Sequence, residues 1–353
     1  MQGGGLKSNA MPRMKLDALF RVTSPSEAPA LAAQYEDYGI AGLWAAEKDH
    51  DPYLLLALAA TRTTSASLGT AIALAFNRSP MSIAYSAWDL QTMSNGRFVL
   101  GLGTQVRAHI ERRFSAQWDR PVERMSEVIR SLRAIWHSWK TQAPLNFEGE
   151  FYRFNLMTPE FVPPPMSHPA PPIYVGGVNP RVTRMAGELC DGFHVHPFHS
   201  KAFLQQAVIP NLKAGAAAAD RSLDDFVMCS SAFCIMGDSR EEIATIRESV
   251  RRQLSFYAST KAYRAVLEAH GWEEISDRLA VMARERQWAD MASHITDEMI
   301  DAFAVTGGVD EIGGLLKEKY AGLLDRVAIN HGPEAGSAHH DERLRAIAKA
   351  ISS

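Results

Sequence analysis

Near the start of the chain, an apolar segment is followed by a polar turn, a Ser-Pro or Asp-Pro pair, and a helix-forming run. This happens three times. The prolines are Pro25, Pro52 and Pro80, at intervals of 27 and 28 residues, the length of a βα unit. The residue before each proline can cap a helix by accepting from a free N–H of the first turn, and proline has no N–H to lose there. Asn179-Pro180 repeats the device after the apolar run 173–175. The apolar segments run on without polar alternation, as strands covered on both faces do. Recurring units of this kind build a parallel sheet or a closed barrel.

Read in order, the chain predicts strands at 15–20, 42–46, 67–76, 97–103, 173–175, 192–195, 225–236 and 325–330. Helices start at Pro25, Pro52 and Pro80, the first ending at Gly39 and the third at Asn95-Gly96. Further helices are expected at 122–139, 180–189 and 309–320, with a turn and a terminal helix in 331–353. Residues 144–172, rich in proline and aromatics, read as an excursion over the surface with a small hairpin. Residues 240–303 read as mainly helical and too long for one crossover, so they hold an inserted segment. The best fit is α/β, a (β/α)8 TIM barrel, with insertions after the fourth helix and in the seventh unit. A doubly wound sheet is the alternative, but Gly101-Leu102-Gly103 lacks the third glycine of a dinucleotide fingerprint.

The length of 353 residues fits one such barrel, and the net charge of −3 with no basic run gives no footprint for nucleic acid. No apolar run approaches the roughly 20 residues of a membrane span. Residues 1–10 lack the apolar core of a secretory signal. Ser8-Asn9-Ala10 before Met11 reads as the scar of an expression tag, which leaves 11–353 as one domain. Cys190, Cys229 and Cys234 form no tight pair and read as reduced, packed thiols of a cytoplasmic protein.

In barrels of this kind the carboxyl ends of the strands carry the chemistry, so 71–78 and 103–109 are expected to face one cleft. Glu47 and His50 follow the second strand and could hold or move a proton. The plainer reading pairs Glu47 with Lys48 or an arginine, leaves His50 in a loop, and makes Asp51 a helix cap. Gly176-Gly177-Val178-Asn179 precedes a helix start and is either an anion site or an ordinary turn capped by Asn179. His194 and His196 share a face by period two. They are candidates for substrate or cofactor contact, for buried structural histidines, or for a zinc site. Tyr257, Tyr263, His270 and Trp272, in the inserted segment, either cover the mouth or pack as core.

Several short stretches together resemble the bacterial luciferase-like superfamily of flavin and deazaflavin enzymes. They are Gly42-Leu43-Trp44 with Glu47 and His50, Leu68-Gly69-Thr70-Ala71, the run from Ser94 to Gly103, Pro172-Ile173-Tyr174-Val175-Gly176-Gly177, and Ala186-Gly187-Glu188 with Asp191-Gly192. The closest branch is that of oxidoreductases dependent on coenzyme F420. The resemblance implies a cofactor ring across the carboxyl mouth of the barrel and a non-prolyl cis peptide at Ala71-Ile72 behind it. It implies catalytic roles for Glu47 and His50, and cofactor contacts from Ala71, Ile72, Gly103, Thr104, Gln105, His109, Gly176, Gly177, Val178 and Asn179. His109 stands where relatives often carry Asn. Arg107, Arg112 and Arg113 meet the cofactor's acidic tail or form a solvated face. A small organic substrate would meet His194, His196 and Tyr257, and a homodimer is the family's association. The implied reaction is hydride transfer between F420 and that substrate. The alternatives are a monooxygenase using reduced flavin mononucleotide (FMN) and oxygen, a metal-dependent barrel hydrolase, and a non-catalytic cofactor-binding relative.

Overall fold

The computed structural model describes residues 14–330 and 338–352. The expected leader at 1–10 and the turn expected after 330 lie outside the described residues. Eight parallel strands close into a barrel: β1 (Lys15–Leu19), β2 (Gly42–Ala45), β3 (Ser67–Thr70), β4 (Phe98–Gly103), β5 (Ile173–Gly177), β6 (Gly192–Val195), β7 (Val227–Met236) and β8 (Arg326–Asn330). Each pairs with the next, and Lys15 opposite Arg326 closes the ring. Helices cover the outside: α1 (Ala28–Asp37), α2 (Pro52–Ala60), α3 (Pro80–Met93), α4 (Pro121–Thr141), α5 (Pro180–Leu189) and α6 (Ile209–Ala218). The carboxyl-terminal part adds α7 (Arg240–Ala258), α8 (Glu273–Arg284), α9 (Val309–Tyr320) and α10 (Ala338–Ser352). Among the described residues no helix is long and apolar enough to cross a membrane.

Three of the four caps read from sequence are in place; the exception is Ser24, which makes no side-chain cap bond, and Pro25 opens a 3-10 turn, Pro25–Glu27, ahead of α1 at Ala28. Asp51, Ser79 and Asn179 each accept from a backbone N–H of the helix they open. The excursion after α4 carries the expected hairpin, Phe147–Glu148 against Arg153–Phe154. Two expectations need correction. The third strand is not one run: β3 stops at Thr70, and a separate two-residue strand, Ala73–Leu74, pairs with β4. The region 240–303 is helical as expected, but a further strand, Ala304–Gly307, follows it and pairs with the far end of β7. β7 is ten residues long, so it outruns β8 and leaves an edge for this strand to take.

The main apolar core lies between barrel and helices. A second, small cluster fills the barrel itself, with Trp44, Val99, Tyr174 and Cys229. Gly69, opposite Trp44 across β2 and β3, makes room for that indole: a Cβ there would sit 2.1 Å from its ring. Below it, Asp17 is buried between two donors. Trp44 Nε1 donates at 2.6 Å, and the Arg326 guanidinium donates through two nitrogens at 2.8 and 2.7 Å. Burial pushes the Asp17 carboxyl up, and the Arg326 charge opposes that push.

Where β3 leaves the ladder, the Thr70 side chain replaces it. Its Oγ1 donates to Gly101 O at 2.7 Å and accepts from Gly101 N–H at 2.9 Å. A Cβ on Gly101 would stand 1.9 Å from the backbone oxygen of Thr70, so neither side can yield cheaply. Gly101→Ala is expected to lower the free energy of unfolding by about 1–3 kcal/mol, read from a urea titration. An unchanged midpoint would mean that this junction is looser than described.

Candidate active site at the carboxyl end of the barrel

The strand ends and the loops beyond them enclose a cavity of about 1110 Å³. Pockets for organic ligands span about 300–1,000 Å³, so this one has room for a tricyclic ring and a small partner. Ala71 and Ile72, joined by a cis peptide bond, form part of its wall together with Gly103 and Gly176. The Ile72 side chain is held by the bareness of these glycines. A Cβ on Gly103 would stand 2.4 Å from Ile72 Cδ1, and one on Gly176 would stand 3.1 Å from Ile72 Cγ2. The result is a half-buried aliphatic platform flanked by backbone.

Glu47 lines the same cavity, but its carboxylate is occupied. Leu74 N–H donates to Oε2 at 2.8 Å, and Asn77 Nδ2 and Arg78 NH1 donate to Oε1 at 2.7 and 2.6 Å. The other arm of Arg78 reaches Asp51 at 2.7 Å. Glu47 therefore ties the segment after the platform to the end of β2, and the plain reading of an arginine pair is the one realised. A carboxylate pinned by three donors is suited to holding the loop. His50 is half-buried in the turn before α2 and is absent from the cavity wall. The Asp51 cap sets the direction of that turn, so the structure does not bring His50 to the site.

Thr104 and Gln105 line the cavity after β4, and Trp118 Nε1 donates to both of their carbonyls at 3.3 Å. Gln105 has φ +52°, a backbone conformation uncommon outside glycine. His109 is exposed in the short helix Arg107–Arg112, away from the cavity wall. Val106 and Arg107 still line the cavity, and the short helix leaves His109 exposed, so the structure does not bring His109 to the wall. Gly176, Gly177, Val178 and Asn179 do line the cavity. Asn179 Oδ1 takes the Val182 N–H at 3.0 Å, so the α5 turn is capped from within.

His194 and His196 both reach the cavity, as period two requires. His194 lies edge-on to Trp44 with ring centroids 4.9 Å apart, and its Nε2 is buried without a hydrogen-bond partner. Burial, with the Arg326 charge adding to it, pushes His194 down to about 3. His196 stacks on Tyr263 at 4.4 Å and meets Tyr257 edge-on at 5.0 Å. Phe198 N–H donates to His196 Nδ1 at 3.1 Å, and His196 Nε2 lies 3.1 Å from the Tyr263 hydroxyl. An accepting Nδ1 places the proton of a neutral ring on Nε2, so Nε2–H donates to the Tyr263 oxygen. Burial, then His199, pushes His196 down to about 4, which keeps the ring neutral near pH 7. Tyr257, in turn, receives Gln253 Nε2 at 2.8 Å. The inserted segment thus supplies one wall of the cavity through Gln253, Tyr257 and Tyr263.

Sequence reading missed Arg78, Arg326 with Asp17, and the Thr70 bridge. The signals were present for two of these: Asp17 and Arg326 are charged residues at the centre or start of otherwise apolar strands, a position that needs a partner inside the barrel. Among the described residues, no group of three or more His, Cys, Asp or Glu side chains could hold a metal ion.

The sequence profile of the luciferase-like monooxygenase family matches residues 6–326. An uncharacterized protein of Mycobacterium tuberculosis is 44% identical over 315 residues, 89% of this chain and 92% of that one. A 5,10-methylenetetrahydromethanopterin reductase of Archaeoglobus fulgidus is 28% identical over 301 residues, covering 83% of this chain and 86% of the relative. Among solved structures, the coenzyme F420 dependent tetrahydromethanopterin reductase of Methanopyrus kandleri shares the fold. Its TM-score is 0.74 at 19% identity, over 96% of this chain and 98% of that one.

Proposed function

The chain belongs to the luciferase-like monooxygenase family, and from that premise we propose that it is an oxidoreductase that exchanges hydride between coenzyme F420 and a small organic substrate. The observation that carries the proposal is the Ile72 platform, bared by Gly103 and Gly176 at the wall of a cavity large enough for a ring and a substrate together. The reductase relatives favour the deazaflavin; the family's name keeps the FMN monooxygenase as the second reading.

The residues present fit such a group. Ile72 offers an apolar face to a flat ring, and the partnerless Nε2 of His194 lies in the barrel beneath. When bound, the deazaflavin would supply a ring carbon that gives or takes hydride. The chain's own part is holding and shielding. Glu47 and Arg78 fix the loop behind Ile72. Tyr257 and Tyr263 narrow the mouth and keep water from that wall. His196 holds its proton at Nε2, against the Tyr263 oxygen, and stays uncharged there.

The test is a pair of fluorescence titrations, one with F420 and one with FMN. Saturable binding of F420, with FMN at least tenfold weaker, is the expected result. The reverse order would move the protein to the monooxygenase reading, and binding of neither would overturn both.

A further inference from the structure

The charges lining the cavity do not cancel. Two carboxylates line it, and both are neutralised from behind: Asp17 by Arg326 and Glu47 by Arg78. Three cations line it as well: Arg21 beyond β1, Lys48 beyond β2, and Arg107 beyond β4. Among the described residues, the Arg21 and Lys48 side chains make no hydrogen bond or ion pair, while Arg107 pairs with Glu111 at 3.5 Å and lies over the Trp118 ring at 5.4 Å. Lys48 is depressed from its ordinary value, first by partial burial and then by the charge of Arg21 beside it; only Asp49 pulls the other way. Like charges brought together with no partner between them make a site for a negative group.

The opposite wall has no such character. His196, Tyr257 and Tyr263 face the cavity as neutral rings. Around a closed ring of eight strands, β1 stands across from β5. The turn at 176–179, where a cofactor's phosphate would meet the start of α5, therefore lies on the far side of the mouth from Arg21. A ligand anchored there is not the one that Arg21 and Lys48 hold.

We infer that Arg21 and Lys48 form an oxyanion subsite that binds a carboxylate or phosphate group of the substrate. The substrate is then an anionic small molecule whose reacting end points toward the neutral wall. This inference rests on the function proposed above.

The test uses inorganic phosphate and glutarate as probes, by calorimetric titration at low ionic strength, on the protein with and without F420. R21Q/K48Q removes the two unpartnered charges, and R21K/K48R keeps them. Both residues are exposed, and a matching urea midpoint will confirm that the variants fold. The expected result is that at least one probe binds the unaltered protein, at least tenfold more weakly to R21Q/K48Q, and within about twofold of the original to R21K/K48R. F420 affinity should stay within about twofold throughout. Equal binding to all three proteins, or no binding of either probe, would overturn the subsite. A second arm compares F420 with the deazaflavin riboside that lacks its phosphate tail. If R21Q/K48Q weakens F420 but not the riboside, the charges serve the cofactor, and the assignment to substrate is wrong. Failure of the unaltered protein to bind F420 would count against the proposed function instead, since the probes read the rim without it.

Discussion

Glu47→Ala is expected to lower the free energy of unfolding by about 3 kcal/mol and to abolish detectable binding of the cofactor. The carboxylate is nearly inaccessible, at 6% side-chain exposure, while Arg78 keeps 23%. Removing it leaves the half-buried Arg78 guanidinium with Asp51 as its remaining anion, and leaves the Leu74 N–H and the Asn77 amide without their acceptor. The segment just beyond Ile72 then loses its side-chain tie to the end of β2, and only the backbone bonds at Ala71 and Ile72 remain. Glu47→Gln should do less harm, because an amide oxygen can still accept from Leu74. A urea titration and an F420 titration on both variants check this. If Glu47 were instead the group that moves a proton, Glu47→Gln would fold and bind as well as the parent and lose turnover alone. That outcome would contradict the anchoring role.

The second large effect is a loss of stability in mild acid. His194 is held at about 3, and His196 and His199 at about 4, in each case chiefly by burial. An unfolded histidine titrates near 6.5. Below that value the unfolded chain takes up protons that the folded chain refuses. Their contribution is therefore fully present above about pH 6.5 and is lost as pH falls toward about 4. Each histidine contributes a slope of about 1.4 kcal/mol per pH unit, so the three together give about 4 kcal/mol per unit. Urea titrations near pH 7, pH 6 and pH 5 measure it. His199→Gln should flatten the slope by about a third. A stability that stays level across that range would mean that these rings reach solvent or change partners.

Much of this architecture could be read from the chain because it rests on local chemistry. A Ser-Pro or Asn-Pro pair favours a helix start through the cap and the missing N–H, and the starts at Pro80 and Pro180 follow, whereas Ser24-Pro25 opens a 3-10 turn ahead of α1. The buried strands follow from their apolar runs. The break after Thr70 did not follow, because the apolar run from 67 to 76 carries straight through it; the interruption comes from the Thr70 side chain bonding to Gly101, thirty-one residues away. The strand Ala304–Gly307 was hidden for a related reason: it forms because β7 is long enough to leave an edge, and edge length is a property of the sheet.

The site divides in the same way. Period two along β6 placed His194 and His196 in the cavity. Their partners Trp44 and Tyr263 arrive from other units, and no spacing in the sequence encodes them. His50 follows the second strand and His109 was implied by the family resemblance, but a loop's direction is decided by its caps and turns. The Asp51 cap leaves one in the turn before α2, and the short helix Arg107–Arg112 leaves the other exposed. Glu47 was legible as a residue that matters, and its office as an anchor became visible only with Arg78 in place.

The central claim is that a redox ring rests against Ile72 at the carboxyl mouth of the barrel. Isoleucine methyl resonances can test it directly, with Ile72 assigned through an Ile72→Val variant and F420 added in steps. The account predicts a saturable ring-current shift of the Ile72 methyls, while Ile83, fully buried among the outer helices, does not move. Binding of F420 that leaves Ile72 still and shifts methyls elsewhere would contradict it.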